Sequence, residues 1–208
     1  EIAMAMKLIH FPHARSLRVV WALKELGLDA EIETRVFDRA KLKEPEYLAL
    51  NPLGKTPVFF DGETRIIESI AIIEYLANKY ADGRLTRGPQ DDDYAAYLQW
   101  LNFGEAGMGG YVNMLIAQTA LLPEDQRIPV MKAWAEKETK NCLNFIEQNL
   151  GDDGYLLGEF SLADIAVGYL LFLIKITQNG HLLGEKTSAY FNRLRAREGW
   201  TAAGEHQP

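Results

Sequence analysis

Residues 51–76, NPLGKTPVFFDGETRIIESIAIIEYL, carry the pattern on which the predicted fold depends. The run PVFFD over residues 57–61 predicts a β-strand, and the Asp-Gly pair that ends it is a turn signal. Residues 65–67 can then pair back as the second arm of a hairpin. Apolar side chains recur at helical spacing from Ser69 onward. The segment therefore predicts a ββα unit.

The residues before this segment predict a strand, a helix and a second strand. KLIHF over residues 7–11 is a short apolar strand, and residues 16–26 have one apolar helical face that stops at Gly27. Residues 30–36 alternate as a second strand. A strand, a helix and a strand in succession favour parallel pairing of the two strands. The order βαβ then ββα predicts an α/β domain of thioredoxin-like fold over residues 7–82.

The rest of the chain is predicted to be helical. Residues 81–90 contain two glycines and a proline and predict a linker. Residues 162–176 are apolar on every side, which predicts a central buried helix. The sequence therefore predicts a second, all-α domain over residues 91–204.

The composition argues against several classes of protein. The chain has 208 residues, 48% of them hydrophobic, and a formal net charge of −7, whereas general nucleic-acid binding needs a basic face. The apolar run 162–176 contains Asp164 and is too short to cross a bilayer. A single cysteine, Cys142, cannot form an internal disulfide or a CxxC pair, and no histidines or cysteines have metal-ligand spacing. Without a signal-peptide pattern, we expect a cytoplasmic protein with no metal, nucleic-acid or membrane partner.

Two short motifs in the first domain each have a structural and a functional interpretation. Pro57 can open a strand with an ordinary trans bond, or a cis Thr56–Pro57 bond can turn the Thr56 backbone toward an extended peptide ligand. The pair Glu68-Ser69 can be a polar helix start or an anion site. In the anion site, the helix N-terminus and the Ser69 hydroxyl hold a carboxylate while Glu68 accepts from an adjacent ammonium. A ligand with an α-amino acid end would satisfy both residues.

The loop PHARSLR, residues 12–18, also has two interpretations, both centred on Ser16. Ser16 can be the N-cap of the first helix. Alternatively, its hydroxyl can donate to a ligand thiolate. Lowering a thiol pKa by about two units takes roughly 2.7 kcal/mol of thiolate stabilisation. A charge-assisted hydrogen bond, the helix dipole and the nearby Arg15 can supply that amount together.

The segment GEFSLADIA, residues 158–166, is assigned to folding. Ser161 and Asp164 have the spacing of a capping box, with aspartate in place of the usual glutamate. They are therefore expected to begin the buried helix and to take no part in catalysis.

NPLGKTP (51–57), ESIAIIEYL (68–76) and GEFSLADIA (158–166), in this order, resemble the cytosolic glutathione transferase superfamily. Residues 10–28 look most like bacterial and fungal members that carry a serine there. The resemblance implies that glutathione binds as a co-substrate: its cysteinyl part on the Thr56 backbone beside a cis Pro57, its γ-glutamyl end at Glu68 and Ser69, its glycyl carboxylate at a lysine. The glutathione-binding residues so implied are Lys43, Lys55, Thr56, Pro57, Glu68 and Ser69.

The resemblance leaves the catalytic position open among neighbouring residues. Alignment with beta-class members places their catalytic cysteine at Arg15, and alignment with theta-like members places the catalytic serine at Ala14. Ser16 is the hydroxyl in this loop and is the predicted thiolate donor, with Arg15 second; His10 and His13 are further alternatives. The first domain has no cysteine, which argues against the deglutathionylating members, since these need a thiol nucleophile.

The resemblance also implies a homodimer and a small hydrophobic electrophile bound between the domains. The candidate wall residues are Phe11, Phe103, Met108 and Tyr111, and ordinary packing is the alternative for them. Glycines at 104–110 suggest an interrupted helix that shapes a pocket. The predicted function is a transferase that conjugates glutathione to electrophiles or reduces peroxides. The alternatives are a glutathione-binding stress or carrier protein with little turnover, and a non-enzymatic interaction domain.

Overall fold

The computed structural model describes residues 6–152 and 154–206. Within them the chain forms two compact units, residues 6–86 together with residues 196–206, and residues 87–195. This division corrects the prediction that the helical domain runs to residue 204. The last helix belongs with the first unit because it packs against residues 16–26 and because Arg197, just before it, forms an ion pair with Glu25.

The first unit contains a mixed sheet that the described residues build from four strands. The strands are β1 (Met6–His10), β2 (Glu31–Thr34), β3 (Val58–Asp61) and β4 (Thr64–Ile66). Their order is β2-β1-β3-β4. β1 pairs parallel with β2, while β3 pairs antiparallel with both β1 and β4. The predicted βαβ and ββα units are therefore confirmed.

The α-helices follow the predicted division into an α/β part and an all-α part. They are α1 (Ser16–Leu26), α2 (Pro45–Leu50), α3 (Ser69–Tyr80), α4 (Tyr94–Asn102), α5 (Gly109–Ile116), α6 (Pro129–Asn149), α7 (Leu162–Ile176), α8 (Glu185–Arg195) and α9 (Glu198–Gly204). Short 3₁₀ turns lie at Lys41–Lys43, Glu124–Gln126 and Gly180–Leu182. No helix in the part of the chain described is long and apolar enough to span a membrane.

The first helix shows how local sequence sets these boundaries. α1 ends at Gly27, whose φ of 65° is the left-handed conformation that glycine adopts without a steric penalty. The side chains of Val19, Val20 and Trp21 are fully buried, and α1 packs against α3 and against β1. This packing fixes the N-terminal end of α1 relative to the sheet.

The centre of the second unit is α7, which has the predicted bounds and a nearly continuous buried surface. Between α4 and α5 the chain forms a π-helical turn, Phe103–Gly107, so the interruption expected from the glycines is present. Gly104 permits close packing on α7, because a Cβ there would lie 2.6 Å from the Ala166 Cβ. A second π-helical turn, Ala117–Leu121, follows α5.

The N-terminal end of α7 is built around the buried carboxylate of Asp164. Its Oδ2 accepts from the Ser161 backbone N–H at 2.8 Å, and the Ser161 side chain accepts in return from the Asp164 backbone N–H, which completes the capping box. Oδ2 also accepts from the Ser161 hydroxyl at 3.1 Å. Its Oδ1 accepts from the Leu156 N–H at 3.0 Å and from the Tyr190 hydroxyl at 2.7 Å. Burial raises the pKa of the Asp164 carboxyl, while these hydrogen bonds act in the opposite direction. One carboxylate thus joins α7, α8 and the preceding loop.

Candidate functional site

The three motifs of the first unit meet at one edge of its sheet. β1 ends there and leads into residues 11–15, which precede α1. β3 begins there, directly after Thr56 and Pro57, because β3 runs antiparallel to β1 with Ile9 opposite Val58. β4 ends there, just before residues 68–69, because β4 runs antiparallel to β3. The topology thus brings together groups that are far apart in the sequence.

Side chains of α2 and of the residue that follows it donate hydrogen bonds to the backbone of the loop before β3. The Thr56–Pro57 peptide bond is cis. The preceding carbonyl, that of Lys55, accepts hydrogen bonds from the Tyr47 hydroxyl at 2.9 Å and from the Asn51 side-chain amide at 2.7 Å. Tyr47 and Asn51 are buried, so they form a rigid support for the Thr56 backbone.

The two lysines predicted to bind a carboxylate differ in their surroundings. The Lys43 ammonium donates to the Leu53 carbonyl at 2.9 Å and to the Gly54 carbonyl at 3.4 Å, so it lies against the loop before β3. The Lys55 side chain is exposed. Gly54 has a φ of 57°, and a Cβ there would lie 2.5 Å from the Leu42 carbonyl oxygen, so only glycine fits at this position.

Glu68 and Ser69 stand at the N-terminal end of α3. Glu68 is the exposed N-cap residue, with extended backbone, and Ser69 is the first helical residue and is 3% exposed. The Ser69 Oγ accepts a hydrogen bond from Nη1 of Arg18 at 3.2 Å. Arg18 therefore occupies one acceptor lone pair of the Ser69 oxygen. The Ser69 hydroxyl can still donate its own proton to another group.

Arg18 is a site residue that the sequence reasoning missed. Its guanidinium is fully buried and places a positive charge within 3.2 Å of the Ser69 Oγ, inside the protein. The available signal was an arginine between Leu17 and Val19, in a helix whose neighbouring positions are apolar. Such a charge is seldom buried without a partner, so it points to a polar contact inside the fold.

Ser16, the predicted thiolate donor, is fully buried beneath the turn that precedes α1. Its Oγ lies 2.9 Å from His10 Nδ1, 3.0 Å from the Phe11 N–H that donates to it and 3.1 Å from the Phe11 carbonyl. Ser16 is also not the N-cap, since Arg15 holds that position and Ser16 is the first helical residue. The hydroxyl points back toward the end of β1 because these partners lie inside the protein.

The other residues of this turn include His13, Ala14 and Arg15, of which Ala14 packs against the core cluster that contains Phe11. His13 is exposed and has a φ of 65°, an uncommon conformation for a residue other than glycine. Arg15 is half-buried and precedes the first turn of α1. His10 is buried, and burial lowers the pKa of its imidazole to about 4, so the ring is neutral at pH 7. His10 lies beneath the turn, with its Nδ1 2.9 Å from the Ser16 Oγ.

The predicted electrophile-wall residues are divided between the units. Phe11 belongs to the first unit and is 3% exposed, packed against Tyr47 with 5.7 Å between ring centroids. Met108, in the second unit, is fully buried. Neither residue has surface to offer a ligand, which corrects their assignment. Phe103 and Tyr111 are partly exposed and remain predicted wall residues.

No group of three or more His, Cys, Asp or Glu side chains among the described residues could hold a metal ion. The charged residues near this sheet edge are Arg15, Arg18, Glu68 and the two lysines, and the N-terminal ends of α1 and α3 lie there.

Sequence relatives cover most of the chain. The profile described as the N-terminal domain of glutathione S-transferase matches residues 4–78. Glutathione S-transferase F10 of Arabidopsis thaliana is 30% identical over 197 residues, which cover 90% of this chain and 90% of its own. Glutathione S-transferase 3 of Schizosaccharomyces pombe is 32% identical over 178 residues, which cover 78% of this chain and 72% of its own.

Solved structures share the fold over nearly the whole chain. The glutathione transferase URE2P8 from Phanerochaete chrysosporium, solved with oxidized glutathione, has a TM-score of 0.79 and 26% identity, and covers 96% of this chain and 93% of its own. A glutathione transferase from Burkholderia graminis, solved with two glutathione molecules per subunit, has a TM-score of 0.84 and 26% identity, and covers 98% and 88%. The chain belongs to the cytosolic glutathione transferase superfamily.

Proposed function

We propose that this protein is an enzyme that binds glutathione and activates its thiol for attack on a hydrophobic electrophile. The observation that carries the proposal is the meeting of three groups at one sheet edge: the N-terminal end of α1, the Thr56 backbone beside cis Pro57, and Glu68 with Ser69. Glutathione is an extended tripeptide with a thiol in its middle and a free α-amino acid at one end. Each of the three groups suits one part of that ligand.

The γ-glutamyl end binds at the N-terminus of α3 in this proposal. Free N–H groups of the first helical turn and the Ser69 hydroxyl hold the α-carboxylate, because a helix N-terminus attracts an anion. Glu68, which is exposed beside them, accepts from the α-ammonium. The cysteinyl backbone pairs with that of Thr56, and the glycyl carboxylate reaches Lys55, with Lys43 behind it. The oxidized glutathione in one solved relative and the glutathione in the other support glutathione as the ligand.

The thiol then lies against the N-terminal end of α1. The helix dipole and the Arg15 guanidinium stabilise the thiolate there. Ser16 was the predicted donor, but its hydroxyl donates to the Phe11 carbonyl and its Oγ lies 2.9 Å from His10 Nδ1. We therefore assign Ser16 to holding the turn and Arg15 to the thiolate.

The thiolate sulfur attacks an electrophilic carbon, so a C–S bond forms and the leaving group departs with the bonding electrons. Proximity and a lowered thiol pKa supply the acceleration, without a covalent enzyme intermediate. A peroxide oxygen is a second acceptor for the same thiolate. Phe103 and Tyr111 are the proposed wall of the electrophile site. A cytoplasmic location and a homodimer are the family's properties and belong to the proposal.

The ultraviolet absorbance of the bound thiolate, followed across pH, tests this proposal. We expect the thiol pKa of bound glutathione to lie about two units below that of free glutathione, a shift of roughly 2.7 kcal/mol. Arg15→Gln is expected to raise that pKa by about one unit, because one nearby positive charge is lost. A thiol pKa equal to that of free glutathione in the wild type would exclude the enzymatic mechanism.

Ser16→Ala is the comparison that separates the two roles of Ser16. If the hydroxyl holds the turn, its loss lowers the stability of the free protein by about 1 kcal/mol, since the Phe11 N–H is left without its acceptor. A donor to the thiolate alone would change the thiol pKa and leave the stability of the free protein unchanged. Thermal unfolding without ligand distinguishes these results.

A glutathione-binding stress or carrier protein with little turnover is the second candidate. The observation that favours it is the burial of Ser16, because the loop of residues 12–16 has no other hydroxyl. Such a protein would bind glutathione at the same residues but leave its thiol pKa unchanged. The titration above therefore decides between the two candidates.

A further inference from the structure

Arg65 lies on β4, and its side chain reaches the C-terminal end of α2. Its Nη1 donates to the Ala49 carbonyl at 3.1 Å and to the Leu50 carbonyl at 3.0 Å, across 16 and 15 positions of sequence. The last carbonyls of an α-helix have no acceptor role within the helix, and the helix dipole attracts a cation to that end. One guanidinium thus fastens α2 to the hairpin of β3 and β4.

α2 is held in place by little apolar packing. Its main packing neighbour among the other elements is the short 3₁₀ turn Lys41–Lys43. Tyr47 is the buried side chain of α2, and Leu50 is partly buried against the same core cluster. A helix of six residues is not stable by itself, so its position depends on contacts such as those of Arg65.

Asn51, the residue after α2, extends this attachment into the loop before β3. Its backbone carbonyl accepts from the Gly54 N–H at 2.8 Å, and its Oδ1 accepts from the Leu53 N–H at 3.0 Å. Its Nδ2 donates to the Lys55 carbonyl, which also accepts from the Tyr47 hydroxyl. α2 and the loop are therefore one hydrogen-bonded unit, and a displacement of α2 would displace the backbone before Thr56.

Arg65 is also next to the other half of the proposed glutathione site. β4 ends at Ile66, just before Glu68 and Ser69. The same strand pairs with β3, which begins directly after the cis peptide bond. Arg65 therefore joins the segment that carries the proposed γ-glutamyl site to the unit that supports the Thr56 backbone.

We propose that Arg65 is a positioning residue for glutathione. By holding α2 against the hairpin, it fixes the Thr56 backbone at the distance from Glu68 and Ser69 that the tripeptide requires. The ligand then does not have to order the loop when it binds, and such preorganisation increases affinity. The effect on the ligand rests on the proposed function, whereas the hold of Arg65 on α2 does not.

Amide hydrogen exchange in the ligand-free protein tests the hold on α2. Arg65→Met removes both hydrogen bonds and keeps a long aliphatic side chain. We expect exchange in residues 48–54 to become about fivefold faster, which corresponds to a local opening that costs about 1 kcal/mol less. Exchange in α7 is expected to stay unchanged, because α7 belongs to the second unit.

Arg84→Met is the matched control for the loss of an exposed arginine. Arg84 belongs to the same unit, and its Nη2 donates to the Glu25 carbonyl, in the last turn of α1, at 3.0 Å. We expect this variant to leave exchange in residues 48–54 and the Kd of glutathione unchanged. Arg65→Lys keeps a cation at the end of α2 and is expected to restore part of the protection.

Glutathione binding tests the positioning role. We expect Arg65→Met to raise the Kd and the KM of glutathione about fivefold, which corresponds to about 1 kcal/mol. The kcat and the thiol pKa of bound glutathione are expected to stay the same, because the thiol lies against α1 in the proposed complex. Tyr47→Phe also loosens the loop, so in that background Arg65→Met should raise the Kd only about twofold.

The outcomes separate this role from the proposed function. Unchanged exchange in residues 48–54 of Arg65→Met would overturn the hold on α2, whatever the protein's activity. Faster exchange with an unchanged Kd of glutathione would overturn the positioning role, and so would a lower kcat at an unchanged KM. If the wild type binds no glutathione, the proposed function and the positioning role both fail, and the exchange result still decides whether Arg65 holds α2.

Discussion

Replacing Asp164 by alanine is expected to lower the free energy of unfolding by about 4 kcal/mol, the largest stability effect we expect from a single side chain here. The carboxylate is fully buried and accepts from four donors, two of them on Ser161. Alanine leaves those donors buried without an acceptor and also removes the capping box of α7. Urea unfolding followed by far-ultraviolet circular dichroism measures the loss.

Two comparison variants make this prediction specific. Asp152→Ala removes an aspartate whose side chain is 88% exposed, and we expect a change within about 0.5 kcal/mol. Tyr190→Phe removes one donor to Asp164 and should cost about 1 kcal/mol. Combined with Asp164→Ala it should cost less than the sum, because the hydroxyl has then already lost its acceptor. A loss below about 1 kcal/mol for Asp164→Ala would show that the carboxylate does not hold the network.

Replacing Arg18 by methionine is expected to weaken glutathione binding about tenfold, which corresponds to 1.4 kcal/mol. Arg18 does not need to touch the ligand for this effect. Its guanidinium donates to the Ser69 Oγ at 3.2 Å, which leaves the hydroxyl proton to point at the proposed α-carboxylate. Isothermal titration calorimetry with reduced glutathione measures the change in Kd.

A glutathione analogue without the α-carboxylate, 4-aminobutyryl-cysteinyl-glycine, provides the control ligand. We expect wild type and Arg18→Met to bind this analogue with equal affinity, since the group on which Arg18 acts is missing. Arg18→Lys should keep part of the glutathione affinity because it keeps a buried positive charge. In a Ser69→Ala background, Arg18→Met should add little. Equal weakening of both ligands would show instead that Arg18 acts through the general stability of the fold.

Local sequence was sufficient for the elements and their order. The apolar periodicity of α1 and α7, the stop at Gly27 and the capping box at Ser161 and Asp164 depend on residues within a few positions of each other. Such short-range patterns act through backbone conformation and helix ends, so they can be recognised along the chain. The parallel pairing of β1 with β2 and the hairpin of β3 with β4 followed from the βαβ and ββα succession. The antiparallel pairing of β1 with β3 was found only in the structure.

The candidate site was found only in part. Thr56, Pro57, Glu68 and Ser69 gather at one sheet edge because the strand pairing brings their segments there. The orientation of Ser16 was not visible in the sequence, since a serine at a helix start can face solvent or the end of β1 with the same local pattern. Phe11 and Met108 were predicted to line a ligand site, but both are buried by other parts of the protein. The sequence shows that such side chains are apolar, but it does not show whether a ligand or the protein covers them.

By itself, the sequence determined the succession of an α/β part and an all-α part, the bounds of α1 and α7, and the polar motifs of the sheet edge, because these depend on neighbouring residues. Only the tertiary structure decided that Arg18 meets Ser69 across 51 residues, that Glu25 meets Arg197 across 172, and that Ser16 faces inward. Contacts of this kind depend on how packed elements orient their side chains. Buried polar side chains need hydrogen-bond partners, and those partners can lie anywhere in the sequence. Which residues become partners therefore depends on the packing of the whole fold.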